Sequence, residues 1–146
     1  MKRDYENIYQ NIERIIHKYN QVENRKRCYG LEAPLSCTEI HMIDEIGKFP
    51  GIGVKEIASH KGVTEGAVSQ LIKKLIEKKL IRKEISKESE AKVNLTLTEN
   101  GMVCFEEHKK YHEQENKRWN ELFDELTDQE YKKIEHILTA AEKMMG

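Results

Sequence analysis

Between residues 54 and 97 the apolar pattern changes period, and this change constrains the fold more than any other feature of the chain. Val54-Lys55-Glu56-Ile57-Ala58 predicts a short helix, and Lys61-Gly62-Val63-Thr64 a tight turn. Residues 65–79 then repeat apolar side chains at helical spacing. Residues 81–85 and 92–97 alternate with a period of two, with a charged loop between them, which predicts a hairpin. Helix, turn, helix and hairpin in that order are the parts of a winged helix-turn-helix. In that motif the second helix enters the major groove of DNA and the hairpin flanks it.

The chain has 146 residues, enough for about one domain with a real core. Its net charge of −1 alone argues against a nucleic-acid partner, but the distribution reverses that conclusion. Over residues 54–92, ten lysines and arginines stand against six glutamates, a local net of +4, which leaves −5 for the remainder. Phosphates supply most of the affinity in DNA recognition, so a basic module on an acidic frame suits that partner. The first residues include Lys2, Arg3, Asp4 and Glu6 without an apolar run. Neither a signal peptide nor a membrane span is expected. Three cysteines, an odd number, fit reduced thiols and a cytoplasmic location.

Either side of the reader lie long amphipathic segments. Tyr5, Ile8, Tyr9, Ile12, Ile15, Ile16, Tyr19 and Val22 recur at steps of three and four, predicting a helix that Arg25-Lys26-Arg27 closes. Ser36-Cys37-Thr38-Glu39 reads as a capping box opening a second helix to about residue 46. Thr98 caps a long element with apolar positions at Met102, Phe105, Trp119, Leu122, Phe123 and Leu126, and residues 106–118 within it are almost wholly polar. Thr127-Asp128-Gln129-Glu130 is another capping box, opening a last helix with Tyr131, Ile134, Ile137, Leu138 and Met144 on one side. The expected fold is mainly α with a small β-hairpin wing. It is one domain over residues 1–146, with a reader lobe at about 35–97 and dimerisation helices at about 4–28 and 99–145. The flanking apolar faces are too extensive for one small core, so a homodimer is expected, and its two-fold symmetry matches a palindromic operator in double-stranded DNA.

In the reader helix, Thr64 is the expected cap, and Ala67, Val68, Leu71, Ile72 and Leu75 are expected to face the core. Glu65, Ser69, Gln70, Lys73 and Lys74 then face outward. Gln70 has the geometry to pair with adenine through two hydrogen bonds, and Ser69 to meet a base edge or a phosphate. Lys73 and Lys74, with Lys87 and Lys92 of the wing, suit phosphates. The plainer reading of this helix is a solvated face on a winged domain that binds only protein.

The order of elements resembles the MarR family of bacterial regulators. The resemblance rests on Leu35-Ser36-Cys37-Thr38-Glu39, on Val63-Thr64 through Leu80-Ile81, and most specifically on Leu97-Thr98-Glu99-Asn100-Gly101. It covers nearly the full length. The wing departs from the family's Asp-x-Arg pattern, with Glu90-Ala91-Lys92 in its place. Lysine keeps the charge but not the planar fork, which weakens reading of a minor groove.

His108 and His112 lie four apart, a spacing that stacks two imidazoles on one helix face, and Glu107 and Glu113 adjoin them. Alone, such a pair in a polar helix is more often solvated. A zinc-sensing branch of the MarR family (the AdcR type) binds zinc with a Glu ending the first helix, a His early in the second and a His-x-x-x-His pair on the fifth. The resemblance therefore implies a zinc site at Glu23, His41, His108 and His112, with zinc raising DNA affinity in a repressor. It also implies a second site for which Cys28 and Glu107 are candidates. Ile40 stands where that site needs an acid, with Glu39 one residue off.

Cys104 is read as a core thiol, and Cys28, following three cations, as a better redox candidate than Cys37. The main rival is a MarR-type regulator released from DNA by thiol oxidation or by a small phenolic or aromatic ligand, with Tyr29 and Tyr111 lining the cleft. A zinc hydrolase built on Glu107 and the His pair lacks a framed cleft and a second base, so no enzyme is expected.

Overall fold

The computed structural model describes residues 2–88 and 93–146. Its elements run α1 (Glu6–Glu23), α2 (Cys37–Lys48), α3 (Val54–Lys61), α4 (Glu65–Glu77), β1 (Ile81–Ile85), β2 (Val93–Leu97), α5 (Glu99–Phe123) and α6 (Asp128–Met145). The two strands pair antiparallel with Ile81 opposite Leu97 and Ile85 opposite Val93. The fold is mainly α with a two-stranded wing, and α3, α4, β1 and β2 make the winged helix-turn-helix.

Local chemistry sets most of the boundaries. Ser36 Oγ accepts from the Glu39 N–H, and a Glu39 carboxylate oxygen accepts from the Ser36 N–H, so both halves of the capping box form. Thr127 and Glu130 repeat the device at the start of α6. Gly62 takes φ 64°, the left-handed conformation that ends a helix at little cost for glycine, and lets the chain turn into Thr64. Helix α3 runs from Val54 to Lys61, with His60 in its last turn. His60 Nδ1 lies 2.6 Å from Glu45 Oε1 of α2. Helix α4 stops at Glu77, two residues short of expectation, and Lys79 takes φ 59°.

Two compact units divide the chain at His108. In the first, Leu35, Ile40, Met42, Ile43 and Ile46 bury against Ile57, Val68, Ile72, Leu75, Leu80 and Leu95. Gly51 and Ile52 add a short third line to the wing, exchanging N–H···O bonds with Leu95 at 2.8 and 3.1 Å. Arg27 and Leu35 exchange a second pair, at 3.1 and 2.8 Å, which closes the loop holding Cys28 and Tyr29. Helix α1 contributes no buried residue, and Ile8, Ile12 and Ile15 stay about half exposed. The second unit holds the remainder of α5 together with α6, whose facing apolar residues include Phe123, Leu126, Tyr131, Ile134 and Leu138. Helix α6 likewise has no buried residue. Among the described residues, no helix is long and apolar enough to cross a membrane.

One ion pair in the first unit has a pH signature. The ammonium of Lys78, at the end of α4, meets Glu39 of α2. Burial pushes the Glu39 carboxyl up, but Lys78 and the two Ser36 hydrogen bonds outweigh burial and hold it below the usual carboxylate range. A carboxyl depressed by folding stabilises the native state above its unfolded pKa, and the stabilisation is lost as pH falls through the folded value. Glu39→Gln is therefore expected to flatten the acid side of the stability–pH curve and leave its alkaline side parallel to wild type. Urea melts across the acidic range check this, and an unchanged acid limb would count against the pair.

Candidate nucleic-acid interface and metal centre

Thr64 caps α4 as its sequence predicts, with Oγ1 accepting from the Ala67 N–H at 3.1 Å. Val68, Ile72 and Leu75 anchor one face of the helix in the core, and Leu71 is half-buried. Ala67 is exposed, contrary to its expected inward position. The buried stripe is narrower than the apolar spacing implies, and Ala67 falls outside it beside Gln70 and Lys74. Glu65, Ser69, Gln70, Lys73 and Lys74 are all exposed, as is Lys87 in the wing loop. Gly66 has open space where a Cβ would stand. The first turn of α4 thus presents small and polar groups that admit close approach of another surface. Lys92, and with it the Glu90-Ala91-Lys92 segment, lies outside the described residues.

A second constellation lies at the start of α2. Glu23, the last residue of α1, places Oε2 3.7 Å from His41 Nε2. Cys37 Sγ is 3.8 Å from Glu23 Oε2 and 3.6 Å from His41 Nδ1. The ligand atoms of Glu23, Cys37 and His41 fall within 4.8 Å of one another, and all three side chains are half-buried. Burial, then the Glu23 carboxylate, pushes the Cys37 thiol above its usual range. The His108 ring lies edge-on to His41, with centroids 5.9 Å apart, and edge-on to Tyr29 at 5.7 Å. His108 is buried, and its Nδ1 lies 3.5 Å from Asp44 Oδ1.

The model of the MarR family matches residues 35–91. That match spans the end of the connector before α2, α2 itself, the reader helices α3 and α4, and β1 of the wing. It is similar to the HTH-type transcriptional regulator YhjH of Bacillus subtilis (strain 168), 28% identical over 102 residues, or 70% of this chain and 58% of that one. The chain spans about three fifths of the length of the curated relatives it matches. A crystal structure of Streptococcus pneumoniae FabT in complex with DNA matches it with TM-score 0.75 and 24% identity, over 97% of each chain. Lactococcus lactis ZitR, a zinc-responsive MarR family member, matches with TM-score 0.77 and 24% identity, over 95% of this chain and 99% of that one. At these identities the structures establish a shared fold.

Of the expected zinc ligands in the first unit, Glu23 and His41 come together and His108 stands one ring beyond. His112 belongs to the second unit, with its ring against Tyr111. Cys28 is exposed, and its Sγ donates to the Glu32 carbonyl at 3.4 Å. Glu107 is half-buried. Among the described residues, no group of three potential ligands includes Cys28 or Glu107. Glu39 is held by the capping box and Lys78. Tyr29 is buried in the core of the first unit, and Tyr111 is half-buried in the second. Cys104 is fully buried, and burial pushes its thiol up to about 11.

Cys37 joins this cluster although it was not among the expected ligands. The available signal was its spacing, since Cys37 and His41 are four apart on one helix, as His108 and His112 are.

Proposed function

We propose that this chain is a homodimeric, sequence-specific DNA-binding transcriptional regulator of the MarR type, a repressor whose affinity for DNA is raised by zinc. The exposed polar face of α4, on a helix anchored by Val68, Ile72 and Leu75, carries the DNA-binding part of the reading. Gln70 discriminates bases and Lys73 and Lys74 meet phosphates. The apolar stripes of α1 and α6, one in each unit, supply the surfaces for a second copy. Two reader helices then meet major grooves about 34 Å apart on a palindrome.

Gln70→Ala is expected to weaken binding to the selected operator by about 1–3 kcal/mol while leaving random duplex unaffected. Lys73→Ala is expected to weaken both alike and to reduce the salt slope by about 1. Binding of both variants equal to wild type on a duplex selected from random sequence would show that α4 is not the reader. In the same experiment the protein should sediment at twice its 17.2 kDa chain mass and bind two chains per site. A folded monomer rejects the dimer.

Glu23, His41 and His108, with His112 beyond it on α5, are the proposed zinc ligands. The Glu23 carboxylate beside the His41 imidazole, with the His108 ring next to it, is a donor set that fits zinc. Bound there, zinc supplies a redox-inert cross-link between side chains. Glu23, His41 and His108 lie on α1, α2 and α5, so these ligands join the segment before the reader to the helix after the wing. Fixing these elements favours one placement of α4, and DNA and metal affinities must then be coupled reciprocally.

A further inference from the structure

The donor atoms at the end of α1 and the start of α2 form a nearly equilateral triangle. Glu23 Oε2 to His41 Nε2 is 3.7 Å, Cys37 Sγ to Glu23 Oε2 is 3.8 Å, and Cys37 Sγ to His41 Nε2 is 3.8 Å. Zinc bonds of about 2.3 Å to sulfur and 2.0 Å to nitrogen or oxygen, at tetrahedral angles, separate neighbouring donors by about 3.3–3.6 Å. The triangle is therefore one face of a tetrahedral site, a few tenths of an ångström expanded. The thiol can donate to Glu23 and accept from His41, whose Nδ1 lies 3.6 Å from the sulfur, and one cation shared by the three donors would hold all three edges at once.

We propose that Cys37 is a ligand to the bound metal, making the centre a mixed sulfur, nitrogen and oxygen site that takes thiophilic d10 ions. The proposal rests on the zinc reading above and adds a donor to it. Two observations beyond the triangle support it. Cys37 and His41 are one helical turn apart on α2, whose capping box fixes that turn, so the two donors are held together before any ion arrives. Charge also favours the thiol. A carboxylate and a thiolate neutralise a divalent cation, whereas Glu23 with three imidazoles leaves the ion a net positive charge among half-buried groups. On binding, the Cys37 S–H proton passes to solvent and the sulfur lone pair forms the metal bond, with no change of oxidation state. Soft sulfur shifts preference toward cadmium and zinc over manganese and magnesium.

Cobalt(II) added to metal-free, full-length protein under reducing, anaerobic conditions provides the test. Its visible d–d absorption reports occupancy of the site, and a thiolate-to-cobalt charge-transfer band in the near ultraviolet reports sulfur ligation. Wild type is expected to show both. Cys37→Ser should lose the charge-transfer band and bind cobalt at least tenfold more weakly, while Cys28→Ser and Cys104→Ser keep the band. A measurement on wild type alone runs beside it. Zinc should slow alkylation of Cys37 by iodoacetamide at least tenfold, as read by peptide mass. If wild type binds cobalt without a charge-transfer band, or if zinc binds and leaves Cys37 equally reactive, Cys37 is not a ligand and the zinc reading stands without it. If wild type binds neither ion, the zinc reading falls and the sulfur ligand with it.

Discussion

Stripping metal from the purified protein with a strong chelator is expected to weaken operator binding by about 5- to 150-fold, or about 1–3 kcal/mol, with zinc restoring it. Reciprocity makes a second demand, that operator DNA tighten zinc binding by the same factor. The choice of variant matters. His108 is 4% exposed, so His108→Ala would also hollow the first unit, and lost binding would be ambiguous. The His41 side chain is 42% exposed and can be removed with less damage to packing. His41→Ala should therefore melt like wild type, keep the chelated level of DNA binding and lose the response to zinc. His112→Ala should behave alike if that residue joins the site from its place on α5. Acidification is expected to shrink the zinc effect, because imidazole and thiol ligands must shed protons to bind. Identical operator affinity with and without chelator would remove zinc as the effector and leave the DNA-binding reading intact.

Local interactions were the legible part of this fold. Ser36 with Glu39 and Thr127 with Glu130 are capping boxes because each pair is three residues apart, and both form as their spacing predicts. The strand at Ile81–Ile85 follows from alternation, and the αL turn at Gly62 from a residue without a Cβ. The misread features depend on contacts distant in sequence. Ala67 is exposed because the neighbouring elements cover only the Val68, Ile72 and Leu75 stripe, and periodicity alone does not set a stripe's width. Cys37 was judged by its sequence neighbours, none of them cationic, yet its chemistry is set by Glu23, fourteen residues earlier. Even Lys78, one of the ten cations of residues 54–92, is tied to Glu39. The ligand candidates Glu23 and His41 were visible only through resemblance to a family, since one carboxylate and one imidazole eighteen residues apart have no periodic signature of their own.

Gly101→Ala is expected to destabilise the protein by about 3 kcal/mol, although helix propensity favours the change. Gly101 lies in the first turn of α5, where alanine would ordinarily gain up to about 1 kcal/mol over glycine. Packing opposes it. The Leu80 carbonyl accepts from the Thr98 N–H at 3.1 Å, and Thr98 Oγ1 donates to the Lys79 carbonyl at 2.6 Å and accepts from the Gly101 N–H at 3.1 Å. These bonds draw the start of α5 onto the chain between α4 and β1. A Cβ on Gly101 would then run into the Leu80 carbonyl oxygen and stand 3.3 Å from the Leu97 Cβ. The obstacle is backbone and cannot rotate away, so either the Thr98 bonds lengthen or the wing shifts. This gives a physical reason for glycine at the end of Leu97-Thr98-Glu99-Asn100-Gly101, the motif most specific to the family resemblance. Gly66→Ala is the control, a helical glycine with open space at its Cβ position, where propensity should prevail and stability rise by up to about 1 kcal/mol. Urea denaturation of the two variants beside wild type is therefore expected to give opposite signs. A Gly101→Ala protein as stable as wild type would mean that α5 does not bear on the Leu80 carbonyl in solution.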